Sequence, residues 1–213
     1  LRAWDPGETK HTFVKGFVRA TGLYKTLHAY RAKGKVVVFD DADSIFFDEV
    51  SLNLLKGACD STDRRRLSWL AETTMIDEAT GNTIDTQFEF EGSVIFCTNI
   101  DFDAMIEKGH KLAPHLNAMV SRAHYVDLAM KNRNDYLVRI NMVMREGVML
   151  KELTTTEKSD VMKFIVEHYS PQVSKFVLRE LSLRMALKLG MLRKSLGTEW
   201  ERTARITCCK TTV

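Results

Sequence analysis

Lys35-Val-Val-Val-Phe-Asp-Asp-Ala-Asp43 is the stretch that decides the fold: four apolar strand formers at positions 36–39 run straight into two carboxylates, Asp40 and Asp41. A continuous apolar run suits a strand buried on both faces, as in a parallel sheet covered by helices. In open α/β sheets, ligands bind beyond the carboxyl ends of the strands, which is where these two acids stand. A divalent cation carried on phosphate groups takes hard oxygen ligands, and a neighbouring acid can orient or deprotonate an attacking water. Asp40 is therefore the candidate metal ligand and Asp41 the candidate base. The same residues also describe a buried strand that merely ends in an aspartate-rich turn.

Working outward, residues 1–10 are polar and contain Asp5-Pro6-Gly7, a turn signal. Residues 12–21 suggest a strand, and 22–31 place Leu23, Tyr24, Leu27 and Tyr30 at helical spacing before Gly34 leads into the acidic strand. Strand, helix, strand is the βαβ unit of a parallel sheet. Beyond the acids, 48–60 reads as a mostly buried helix with Asp48 or Ser51 as cap. A basic stretch follows, Arg64-Arg65-Arg66, then an ambiguous segment at 68–75, a Thr80-Gly81-Asn82 turn and an alternating strand around Phe88 and Phe90. Residues 93–98 form a second buried strand that stops at Asn99. From 102 onward the pattern is helical, with helices predicted at 102–109, 114–123, 132–145, 155–169, 174–189 and 198–207. A composition shift near 130–151 divides an α/β part, 1–130, from an all-helical part, 131–213.

With 213 residues, 45% of them hydrophobic, the chain can bury one large core or two small ones. Thirty-one Lys and Arg against 28 Asp and Glu leave a net charge of +3, too slight to argue for a nucleic-acid partner. Between 175 and 210, nine basic residues face three Glu, an excess best explained by solvated helical faces. The cysteines at 59, 97, 208 and 209 lack Cys-x-x-Cys spacing, so neither zinc nor a disulfide framework is expected, and a reducing cytoplasm fits. No apolar stretch reaches the length of a membrane span and no secretory leader opens the chain, which excludes membrane and secreted classes at this level of reading. The chain opens on Leu1, and a piece of a longer protein is the expectation.

Asn99 follows its strand as Asp40 follows the earlier one, so both are expected at one edge of the sheet, where an amide can hold the attacking water against a γ-phosphate. Ser121-Arg122 closes a helix; the guanidinium fork there suits either the triphosphate of a neighbouring subunit or the dipole of its own helix. Arg184 lies beside the apolar stripe of its helix, placed either to lean on a nucleotide or to snorkel into solvent. The basic cluster at 64–66 reads as a solvated loop, with phosphate contact as the alternative. Six histidines show no ligand spacing, and no hydrolase triad order is present.

These motifs resemble those of AAA+ ATPases: Val-Val-Val-Phe-Asp-Asp matches the Walker B strand, Val94-Ile-Phe-Cys-Thr-Asn99 the sensor-one strand, Ser121-Arg122 the arginine finger, and the C-terminal helices a lid with Arg184 as its sensor-two arginine. The segments Gly22-Leu-Tyr-Lys-Thr-Leu27 and Phe90-Glu-Gly-Ser-Val-Ile-Phe-Cys-Thr-Asn-Ile-Asp101 are similar to those of ATPases of tailed bacteriophages. The likeness implies a parallel-sheet P-loop core followed by a small helical lid, with ATP and Mg²⁺ as ligands. It further implies a ring or helical homo-oligomer in the host cytoplasm, working on DNA or protein. Asp40 would then hold Mg²⁺, Asp41 activate water, Asn99 orient it, Arg122 act in the neighbouring site and Arg184 sense the γ-phosphate. Two features depart from the pattern. Gly-x-x-x-x-Gly-Lys-Ser/Thr is absent, Pro6-Gly-Glu-Thr-Lys-His-Thr12 lacking its glycine spacing, so the phosphate loop is expected upstream of Leu1. Asp41 also stands where the glutamate is usual, which shortens the base by a methylene or hands its task to Asp43. A replicative helicase of superfamily three and a nucleotide-binding assembly module without turnover are the competing classes.

Overall fold

The computed structural model describes residues 1, 3–71, 74–78, 80–128, 130, 132–172 and 174–211. It divides into two compact units, Leu1–Val126 and Asp127–Val213. The first is built on a three-stranded parallel sheet in the order β1-β2-β5, with β1 His11–Lys15, β2 Val36–Asp40 and β5 Ser93–Cys97. Register places Phe13, Val38 and Ile95 in one row and Lys15, Asp40 and Cys97 in the last row at the carboxyl edge.

Side chains alternate across this sheet, and its two faces meet different fates. Val37 and Phe39, with Val14, Val94 and Phe96 beside them, pack into the main core. Helix α1 (Ala20–Ala29) contributes Leu23, Tyr24 and Leu27 to that core, and α2 (Glu49–Ala58) contributes Leu52, Leu54 and Leu55. Each such side chain stabilises by about 1.5–3 kcal/mol when fully buried. On the opposite face, Val38 is only 2% exposed between its neighbours, but Phe13 is 46% and Ile95 40% exposed. The expectation of a second strand buried on both faces therefore fails for β5: it is an edge strand among the described residues, and its Ile95 row is uncovered.

Local chemistry starts α2 as expected, because the Asp48 carboxylate accepts from the Ser51 N–H at 2.9 Å and from the Ser51 hydroxyl. The ambiguous basic region resolves into a short antiparallel pair, β3 (Arg66–Ser68) with β4 (Gln87–Glu89), which turns Leu67 and Phe88 into the core. Residues 72, 73 and 79 of the segment between them lie outside the described residues. Arg65 is not part of a solvated loop: its guanidinium donates to the Ala58 carbonyl at 2.8 Å and the Gly92 carbonyl at 3.0 Å and lies over the Phe90 ring. Arg64 and Arg66 are exposed. Helices α3 (Phe102–Glu107) and α4 (Ala113–Val120) complete this unit, Leu116 and Met119 of α4 joining the same core.

The second unit holds α5 (Arg133–Arg145), α6 (Thr155–His168), α7 (Leu183–Leu196) and α8 (Trp200–Cys208) around Ile140, Phe164, Ile165, Leu189 and Trp200. Capping boxes at Asn132 and Thr154 start the first two helices. This unit is not all-helical. Phe176–Leu178 (β6) pairs antiparallel with Cys209–Thr211 (β7), so the helix expected from 174 begins only at Leu183, where Ser182 caps it by accepting from the Met185 N–H.

Candidate functional site

Three parallel strands end together, and their ends gather Asp40, Asp41 and Asn99 of the residues that the motifs single out. Asp40 is the last residue of β2, and its Oδ2 accepts from Lys15 Nζ at 2.6 Å. The two residues are cross-strand partners in the edge row. Lys15 is 67% and Asp40 30% exposed at the side chain. Hydrogen bonding to Asp40 and its negative charge, with Asp41 adding, raise the Lys15 ammonium above its ordinary pKa.

Asp41 turns the chain away from the sheet. Its backbone adopts φ +54°, in the left-handed region, which Asp tolerates better than most L residues. Its N–H still donates to the Cys97 carbonyl of β5 at 3.0 Å, extending the sheet by one bond. The turn brings Asp41 Oδ1 to 3.3 Å from Asn99 Nδ2, so the candidate base and the candidate water-orienting amide share a hydrogen bond across strands 58 residues apart in sequence. One step further, Thr98 Oγ1 donates to Asp43 Oδ1 at 2.6 Å and accepts from the Ile100 N–H, fixing the loop that carries Asn99. The 3₁₀ turn Asp43–Phe46 is held in turn by Ser44, whose hydroxyl accepts from the Val18 N–H and donates to the Val18 carbonyl.

The rim therefore carries three carboxylates, one ammonium, an amide and a hydroxyl. Among the described residues no group of three His, Cys, Asp or Glu side chains could by itself hold a metal ion. The donor set nonetheless fits Mg²⁺, which takes one or two carboxylates and fills its remaining positions with water and phosphate oxygens. The segment Pro6 to Thr12 is remote from this rim. It leads into the amino end of β1, about 13 Å from the carboxyl end at 3.3 Å per residue. Its groups are already engaged, since Asp5 accepts from the Thr9, Lys10 and His11 N–H groups and Lys10 lies over the Trp4 ring.

Arg122 is engaged within the first unit. Arg122 follows α4 and pairs with Asp60 after α2, Nε to Oδ1 at 3.4 Å, while its guanidinium also donates to the Ala118 carbonyl. Bonds from the Thr62 hydroxyl and Ser61 N–H, with Arg122 adding, hold the Asp60 carboxyl below its usual pKa. Arg184 is exposed in the first turn of α7, in the second unit. Lys15 and Thr98 are not among the residues that the motifs single out, although the Gly16 after Lys15 marks a strand end where a side chain would reach this rim.

Among the described residues no helix is long and apolar enough to cross a membrane. No protein-family model matches the chain. No solved structure matches it. The chain is similar to the uncharacterized 36.7 kDa protein in the nrdC-mobD intergenic region of Enterobacteria phage T4, with 32% identity over 205 residues. That likeness covers 95% of this chain and 60% of the phage protein's length, so the chain has a bacteriophage relative that is substantially longer than the part it matches.

Proposed function

We propose that this chain carries the hydrolytic rim of an oligomeric, phage-encoded ATPase of the AAA+ type. The observation that carries the reading is the hydrogen bond between Asn99 Nδ2 and Asp41 Oδ1 at the shared carboxyl edge of β2 and β5, with Asp40 in the adjacent position. A bound Mg²⁺ would supply charge neutralisation to the phosphates, and Asp40 is the residue that would hold it, with Asp41 or Asp43 reaching it through water. Asp41 accepts a proton from the attacking water, and Asn99 holds that water and the base in one geometry. The left-handed backbone at Asp41 supports this assignment, because it lifts the carboxylate off the strand axis towards the amide.

The remaining roles follow the same reading. Arg122 reaches a neighbouring subunit's triphosphate after leaving Asp60, and Arg184 keeps the γ-phosphate-sensing role that the AAA+ likeness implies. Residues that wrap the phosphates through backbone N–H groups come from outside the described rim. Turnover drives remodelling of DNA or protein. The test is ATP hydrolysis by the protein with Mg²⁺, beside Asp41→Asn and Asn99→Ala: at least a hundredfold loss in the first and tenfold or more in the second is expected, on the order of general-base contributions. Unchanged turnover in both removes the site. Mixing Arg122→Ala with Asp41→Asn subunits restores part of the activity if the arginine acts across an interface.

A further inference from the structure

The rim holds a cation of its own. Lys15 and Asp40 face each other in register on one side of the sheet, and the ammonium sits 2.6 Å from the oxygen assigned to the metal. Cys97 completes the same row beside Asp40, and Asp41 follows Asp40 directly in the chain. The acids at the rim repel one another, and Lys15 pairs with Asp40 among them. The Lys15 side chain is 67% exposed, so the lysine stem has room to swing. An ammonium is a compact charge on a flexible four-carbon stem, suited to leaving one oxygen for another.

We propose that Lys15 is an internal counter-ion that occupies Asp40 until a divalent cation displaces it, and then turns to the phosphate oxygens that arrive with that cation. The inference rests on the proposed role of Asp40 as metal ligand. It makes nucleotide-free protein a weak binder of bare divalent cations and ties full metal occupancy to phosphate, since Lys15 gives up one anion only as another becomes available. Removing the ammonium then tightens binding of metal alone and weakens binding of nucleotide, opposite signs that a purely structural lysine would not produce.

The probe is Mn²⁺ without nucleotide, titrated into the protein and followed by electron paramagnetic resonance of the free ion, for wild type, Lys15→Met, Lys15→Arg and Asp40→Asn, with circular dichroism to verify folding. Lys15→Met is expected to bind Mn²⁺ about fivefold more tightly than wild type, the upper end for a partly exposed ion pair. Lys15→Arg stays close to wild type, and the Lys15→Met advantage shrinks between roughly 0.05 and 0.5 M KCl as salt screens the pair. Asp40→Asn abolishes binding. A Lys15→Met affinity within twofold of wild type overturns the inference while leaving Asp40 as metal ligand, provided Asp40→Asn still abolishes binding. Mn²⁺ binding that survives Asp40→Asn, or no binding by Lys15→Met, overturns the inference together with the metal role.

Discussion

Substitutions at Asp41 separate the backbone it needs from the chemistry proposed for it. The residue sits at φ +54°, where the Cβ of an L residue crowds the following carbonyl at a cost of about 1–2 kcal/mol, less for Asp and Asn, whose short polar side chains bond locally. Asp41→Ala keeps the Cβ, loses that local bonding and forfeits the Asn99 contact at 3.3 Å, so it should destabilise the first unit by about 1 kcal/mol. Asp41→Gly removes the Cβ; the relief of crowding offsets the greater freedom of the unfolded chain, and stability stays within about 0.5 kcal/mol of wild type. Asp41→Asn tolerates the same backbone and is equally neutral. Urea unfolding read at a signal from the first unit tests the order, about 1 kcal/mol corresponding to roughly 4 °C in Tm for a unit of this size. Turnover should be lost in all three, because each removes the carboxylate. An alanine variant as stable as the glycine variant would refute the left-handed turn. An asparagine variant that hydrolyses ATP at the wild-type rate would refute the base.

Other expectations concern the surroundings of the rim. Arg65→Met leaves the Ala58 and Gly92 carbonyls without their charged donor and should cost about 2 kcal/mol in denaturant unfolding; a loss under about 0.5 kcal/mol would mean that Arg65 is surface decoration. Gly92→Ala should be at least as damaging, since a Cβ there would lie 2.5 Å from the Tyr30 carbonyl oxygen, a backbone atom that cannot step aside. With maleimide at pH 8 and mass-spectrometric mapping, exposed Cys97 should label first, because burial pushes the Cys59 thiol up to about 11 and burial beside Cys208 pushes Cys209 to the same range; equal rates at Cys59 and Cys97 would contradict the packing. Burial opposes ionisation of Asp5, yet the Lys10 N–H, the His11 ring and the Thr9 and His11 N–H groups together hold its carboxyl below the usual range. Its contribution is therefore complete above the ordinary aspartate pKa of about 3.9 and is lost as pH falls below it. Asp5→Asn should flatten the acid limb of a stability-against-pH curve, and an unaltered limb would exclude Asp5 as its source.

The sequence by itself determined what depends on neighbours along the chain. Val36 to Phe39 form an inner strand because burying the run removes its apolar surface from water, and Asp40 and Asp41 then follow at its carboxyl end. Asp48 was one of two caps legible for α2, and a helix from 132 was legible for α5, because a cap and the N–H it accepts from are only three residues apart. Only the tertiary structure decided which distant groups meet. Lys15 reaches Asp40 through the register of two parallel strands, Asn99 reaches Asp41 through the turn at φ +54°, and Arg122 finds Asp60 through the packing of α4 on α2. The β6–β7 pair escaped a helical reading of residues 174–189 for the same reason: its stabilising partner lies about thirty residues away, and strand pairing, unlike helix bonding, carries no local signal of its partner. Residue type and order are enough to place an acid at the end of a strand, whereas the partner it will meet there depends on a fold that brings remote segments within hydrogen-bond reach.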